Sequence, residues 1–264
     1  MRILFCPIPG PKSWNGSTIY QQPLGGSESA VVYMARGLAR NGAQVTVLAP
    51  AIQGVFDGVS YYNINTDLPQ AVSEEWDVVI VSRWIEALEY PWKTGKRVFW
   101  IHDMPAVSGV RIPTDYVFAL SQFQQFVWGL FSKDVYIMGN GVDLSLFDVK
   151  IERDPNRLVW ISNPDRGLPI AARIFQEIRK RWPDLELHVY GRSSVYGWDS
   201  NAEEPFLPLP EHSKNVFMHE PLPKHRLARE LLGAWAMFYP TWWQETYCIA
   251  ALEAQAAGTP IISS

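Results

Sequence analysis

Short uninterrupted apolar runs alternate along this chain with longer segments whose apolar residues recur every three or four positions. RILFC (2–6) is a run of strand length, and SESAVVYMARGLARNG (27–42) follows at helical spacing and closes on Asn-Gly. QVTVLA (44–49), WDVVIVS (76–82), RVFWIH (97–102) and YVFAL (116–120) are continuous β-branched and aromatic runs, as expected of strands covered on both faces. SQFQQFVWGLF (121–131) predicts a helix capped by Ser121, and DVYIMGNGVD (134–143) a strand ending in an Asn-Gly turn. DVKIERDPN (148–156) is charged, has few apolar anchors and reads as a linker. Beyond it, strands are expected at 157–162, 185–191, 215–220, 235–240 and 259–264, and helices at 168–184, 223–234 and 246–258. A long Pro-rich irregular segment covers 193–214. This alternation predicts an α/β chain with parallel, doubly wound sheets in two Rossmann-like domains, 1–148 and 149–264.

Composition narrows the picture. A length of 264 residues suits two ordinary domains, and 47% apolar against 19% charged content predicts a packed interior. The net charge of −4 argues against a general nucleic-acid binder, so no nucleic acid is expected as a partner. Cys6 and Cys248 stand in apolar contexts without metal-ligand spacing. Buried reduced thiols and a cytoplasmic setting are expected from them. MRILFCPIPG carries no signal-peptide run, and nowhere do about 18 apolar residues follow one another, which leaves only contact with a membrane surface open. The twelve Trp are many, and their plain use is core filling, with sugar or lipid platforms as the other. The second strand–helix series stops at 259–264, so an incomplete C-terminal domain is expected. Its open edge calls for a loose hinge, a second copy of the chain or a partner chain that completes it.

Two carboxylates, Glu245 and Glu253, bracket the start of the apolar helix expected at 246–257. At helical rise they stand roughly 12 Å apart along the axis. The first N–H groups, on Thr246, Tyr247, Cys248 and Ile249, make an anion site together with the macrodipole. A diphosphate held there leaves ribose hydroxyls near Glu253, and whatever lies beyond the diphosphate near Glu245. On spacing alone, a dipole-favoured acid at 245 and a structural ion pair at 253 is the alternative.

The wider segment FYPTWWQETYCIAALEAQAAGTPII (238–262) resembles the donor-binding signature of retaining glycosyltransferase family 4, glycosyl transferases group 1, of the GT-B fold. The shared elements are a strand, Pro-Thr, Glu, seven residues, Glu-Ala, and Ala-x-Gly-x-Pro. LGGSESAVVYMARGLARNGAQVTVLAP (24–50) is similar to the family's Gly-Gly loop and first helix, and WIHDMP (100–105) to its His-Asp strand end. ALSQFQQ (119–125), NGVDLSLF (140–147) and 160–191 resemble, in turn, the inter-strand serine, the domain exit and the opening of the C-terminal domain.

The resemblance implies two Rossmann-like domains facing a cleft, and transfer of a sugar from a nucleotide-diphosphate sugar to an acceptor hydroxyl with retention. The acceptor would be a glycan, a lipid or a small molecule, and no metal or other cofactor is implied. Glu253 would bind the ribose, and Glu245 and His102 would lie by the transferred sugar. Arg166 would neutralise the leaving diphosphate. Gly25, Gly26 and Asn163 would line the donor, with the amides of Thr246, Tyr247, Cys248 and Ile249 shaping the sugar and phosphate site. Gly191, Arg192, Pro221 and Leu222 fall where the family holds the base, and Asp103 would orient His102 or cap its loop. Trp14 and Tyr20, in the loop 7–23, would face the acceptor. One departure stands out: the family's upstream basic residue is replaced by Ser162-Asn163-Pro164-Asp165, which passes that role to another cation such as Arg192. The rival readings are a nucleotide-binding remnant without turnover and an epimerase or phosphorylase on the same architecture. A dehydrogenase is disfavoured by the lack of G-x-G-x-x-G after the first strand.

Overall fold

The computed structural model describes residues 1–105, 112–132, 134–191 and 213–264. Two units are present: Met1–Ile19 with Gly25–Gly141, and Tyr20–Leu24 with Val142–Ser264.

The first unit is built on an eight-stranded sheet of β1 (Arg2–Pro7), β2 (Gln44–Ala49), β3 (Gly54–Phe56), β4 (Val59–Asn63), β5 (Glu75–Ser82), β6 (Lys93–Trp100), β7 (Tyr116–Ala119) and β8 (Val135–Ile137). Their spatial order is β3-β4-β2-β1-β5-β6-β7-β8. All neighbours run parallel except the β3–β4 hairpin. The continuous apolar runs are the central strands: Leu4, Phe5 and Cys6 of β1 and Val47, Leu48 and Ala49 of β2 are fully buried. Helix α1 (Thr18–Gln21) spans the division between the units in sequence; α2 (Gly26–Arg40), α3 (Ile64–Ser73) and α4 (Gln122–Val127) belong to the first. Helix α2 buries Ala30, Val31, Val32 and Ala35. It stops at Asn41, whose side chain bonds the Gly37 carbonyl, and at Gly42 with φ +86. Ser121 caps α4 by accepting from the Gln124 N–H.

The second unit has five parallel strands, β9 (Asp154–Trp160), β10 (Glu186–Val189), β11 (Val216–Met218), β12 (Ala234–Tyr239) and β13 (Ile261–Ser263), ordered β11-β10-β9-β12-β13. Helices α5 (Leu168–Arg179), α6 (Lys224–Gly233) and α7 (Ile249–Ala256) accompany them. The core gathers Trp160, Phe175, Leu231, Met237 and Phe238. In each sheet the strand order reverses at the first strand: β1 lies between β2 and β5, and β9 between β10 and β12. Ligands of doubly wound sheets bind outside the carboxyl ends of the strands at such reversals.

Several local expectations change: the helix expected at 121–131 ends at Val127, and the one expected at 168–184 ends at Arg179. The stretch read as a linker already contains the start of β9 at Asp154. Helix α7 begins at Ile249, three residues later than expected, because Cys248 adopts a left-handed backbone (φ 57, ψ 75) that a right-handed helix cannot continue through.

Candidate active site

In the second unit, the loops that leave β9 and β12 press together. After β9, Ser162 and Asn163 lead into a tight turn at Pro164–Arg166 and then Gly167. Gly167 has φ +129, and a Cβ there would sit 3.2 Å from both the Pro240 carbonyl oxygen and Thr241 Cα. Only glycine combines that backbone with that approach. The Thr241 hydroxyl then donates to the Arg166 carbonyl.

This closure brings distant side chains onto one carboxylate. Arg166 Nη1 lies 2.8 Å from Glu245 Oε1, across 79 residues of sequence. The Tyr239 hydroxyl donates to the same oxygen at 2.5 Å and lies 3.2 Å from Ser162 Oγ. The Arg166 guanidinium also sits 5.2 Å from the centre of the Trp243 ring. Burial, then the Glu245 charge, pushes the Tyr239 phenol well above its usual range, so it stays a donor. Burial and Glu245 likewise push the Cys248 thiol up to about 11 and keep it neutral. Burial raises the Asp165 carboxyl, with Arg166 opposing.

Glu253 projects from α7 and is 5% exposed. Its Oε1 lies 2.5 Å from Lys224 Nζ. Lys224 is the first residue of α6 and directly follows Pro221-Leu222-Pro223, whose Leu222 packs on the core. Gly191 is buried after β10, and a Cβ there would fall 1.8 Å from the Ser162 carbonyl oxygen, so the loops after β9 and β10 meet only over a glycine. Asn163 Oδ1 is buried without a hydrogen-bond partner among the described residues. Thr246 and Tyr247 lie ahead of α7, while the N–H groups of Ala251 and Leu252 close onto the Cys248 carbonyl. The N–H groups at the head of the helix are therefore those of Ile249 and Ala250. Arg192 lies outside the described residues.

The first unit holds a second cluster, at the ends of β5 and β6 and the start of α2. Arg83, at φ +66, sets Nε 2.6 Å from Asp103 Oδ2 and Nη1 3.0 Å from Ser27 Oγ. Glu28 Oε1 is 4.0 Å away. Asp103 thus faces Arg83 instead of orienting His102, and its carbonyl accepts from Gln124 Nε2 and Trp128 Nε1. His102 packs 4.5 Å from Trp100, and burial, then Arg83, lowers it to about 3, so its imidazole is neutral. Gly25 is the N-cap of α2 and Gly26 its first residue; Ser27 bonds Glu28 and Arg83. Trp14 is buried with its ring edge-on to Tyr61, a core filler and not a platform, whereas Tyr20 is exposed. Burial pushes the Cys6 thiol up to about 12.

The structure therefore joins Arg166 to Glu245, and adds Tyr239, Lys224 and Arg83, which the sequence did not single out. Tyr239 reads as a strand-end aromatic, and Lys224 and Arg83 as surface cations. Only their three-dimensional partners mark them. Among the described residues, no group of three His, Cys, Asp or Glu side chains is placed to hold a metal ion, and no helix is long and apolar enough to cross a membrane.

Comparison with known proteins adds a family match over part of the chain and a fold. No curated protein matches this chain in sequence. AviGT4, a glycosyltransferase involved in avilamycin A biosynthesis, is 17% identical, with a TM-score of 0.70 over 100% of this chain and 78% of its own. HepE of Anabaena, solved in complex with UDP-glucose, is 14% identical, with a TM-score of 0.68 over 100% and 80%. WaaG, a glycosyltransferase involved in lipopolysaccharide biosynthesis, is 14% identical, with a TM-score of 0.65 over 99% and 80%. At these identities the likeness establishes architecture. The chain has the GT-B fold, and its residues 155–264 match the family described as Glycosyl transferases group 1.

Proposed function

We propose that this chain is a retaining hexosyltransferase that moves a sugar from a nucleotide-diphosphate sugar to an acceptor hydroxyl. The observation that carries the reading is the convergence of Arg166 and Glu245 ahead of α7, inside the segment that matches Glycosyl transferases group 1. HepE, whose fold this chain shares, was solved with UDP-glucose and with UDP and glucose, which supports a nucleotide-sugar donor. Glu253 receives the ribose, and the head of α7 the diphosphate. Arg166 turns from Glu245 to the phosphate and stabilises its growing charge. Tyr239 keeps its hydrogen bond to Glu245, which holds that acid beside the sugar while the arginine moves.

The bond from the anomeric carbon to the phosphate oxygen breaks, and the acceptor oxygen bonds to that carbon on the same face. The acceptor proton passes to the departing phosphate. His102, neutral, serves as a hydrogen-bond partner near the sugar. Arg166 and the helix amides supply the positive charge, so this reading asks for no metal or cofactor, and transfer survives EDTA. A cytoplasmic site of action fits the two free thiols.

A second reading, nucleotide binding without turnover, is favoured by one observation. No basic side chain stands in Ser162-Asn163-Pro164-Asp165, and Arg166 is already engaged by Glu245. Calorimetric titration with UDP, GDP, ADP and CMP, on the wild type and Glu253→Ala, tests the donor site. One nucleotide should bind, about tenfold or more weakly in the variant; binding by none of them refutes the reading. Incubation with the matching nucleotide-sugars, followed by NMR of the product's anomeric proton, then separates retention from inversion and transfer from mere binding.

A further inference from the structure

We infer that Lys224 is a positioning and specificity residue for the donor, one that fixes Glu253 to accept ribose hydroxyls and so selects ribonucleotides over their 2′,3′-dideoxy counterparts. The inference rests on the donor reading above. Lys224 and Glu253 form an enclosed pair, with side chains 13% and 7% exposed. Burying two charges offsets most of their attraction, so stability alone is a weak reason for such a pair. The placement of Lys224 is also unfavourable for its helix. It is the first residue of α6, at the positive end of the dipole, and the first turn holds no acid of its own.

The pair therefore acts on Glu253. Among the described residues, Lys224 is the donor to this carboxylate and takes Oε1. That bond fixes the side chain on the second turn of α7 and leaves Oε2 as the oxygen to accept from a ligand. A carboxylate held this way offers Oε2 to a ribose hydroxyl and gains nothing from a sugar that lacks its hydroxyls. Lys224 also follows directly on Pro221-Leu222-Pro223, and Pro223 is the N-cap of α6. The chain that would border the base thus also sets the lysine that holds the ribose acid.

The test is titration of the full chain with whichever of UDP, GDP, ADP or CMP binds, and with its 2′,3′-dideoxy counterpart. Wild type should prefer the ribonucleotide by about tenfold or more. Lys224→Met should abolish most of that preference by weakening the ribonucleotide alone, and Lys224→Arg should restore part of it. A merely structural lysine would weaken both ligands equally. Should Lys224→Met not fold, Lys224→Ala, which also removes the donor, takes its place; a preference equal to wild type in either variant overturns the inference. If Glu253→Ala loses the preference while Lys224→Met keeps it, the role of Lys224 fails and the donor site stands. If the wild type binds no nucleotide, both fail together.

Discussion

Each unit seats an arginine at the carboxyl end of a central strand and sets an acid against it, but the two pairs are built differently. In the first unit, Arg83 meets an Asp103 side chain that is 53% exposed. In the second, Arg166 meets a Glu245 side chain that is 19% exposed and already bonded by a buried tyrosine. An exposed ion pair gains little, because water screens it. An enclosed acid is costly unless several donors hold it, and the second unit makes that investment at the donor site proposed above.

Arg166→Met is expected to break the comparison most strongly. If Arg166 stabilises the leaving group as proposed, its loss should lower kcat by about a hundredfold or more, while the fold survives because Tyr239 still bonds Glu245. Initial-rate kinetics on the nucleotide-sugar decide it, and a loss below about tenfold contradicts the leaving-group role.

The next effect lies in the first unit and is one of pH. The imidazole of His102 falls from 6.5 to about 3 on folding. Above pH 6.5 neither the folded nor the unfolded chain protonates it, and its neutral form costs nothing. As pH drops from 6.5 toward 3, the unfolded chain takes the proton first, so stability is lost across that window, by about 3 kcal/mol at pH 4.5. His102→Gln should flatten this limb in urea unfolding at pH 7 and pH 4.5; equal losses in variant and wild type exclude His102 as the cause.

The smallest effect sharpens the contrast. Asp103→Asn removes the exposed partner of Arg83 and should cost less than about 1 kcal/mol by thermal unfolding. A larger loss would mean that the two arginine pairs are alike after all.

Much of the fold could be read from the chain. β1, β2, β5 and β12 are strands covered on both faces, and their unbroken apolar runs announce them. The stretch between β2 and β5 stayed silent. There β3 and β4 form a short edge hairpin around Asp57-Gly58, both at positive φ, and α3 carries Pro69 inside it. An edge strand is not apolar throughout, and a proline masks a helical period, so the run-length criterion missed all three; the Asp-Gly turn was the available cue. In the site, Glu245 and Glu253 are legible from their spacing around a helix start, and Arg166 only from the resemblance to a known family. Tyr239 and Lys224 act through partners 6 and 29 residues away, and their residue types alone point to nothing. The left-handed Cys248 was equally hidden, since a cysteine gives no warning of the backbone that delays α7.

The separation of Arg166 from Glu245 has a consequence in time. β9 is the middle strand of its sheet, and it pairs with β12 only after the intervening chain, including β10, β11 and α6, has been placed. Contacts that close loops of 79 residues form late, because their closure entropy must be met before they contribute anything. During refolding, tryptophan fluorescence should therefore recover before nucleotide binding does; simultaneous recovery would show that the site is assembled together with the core.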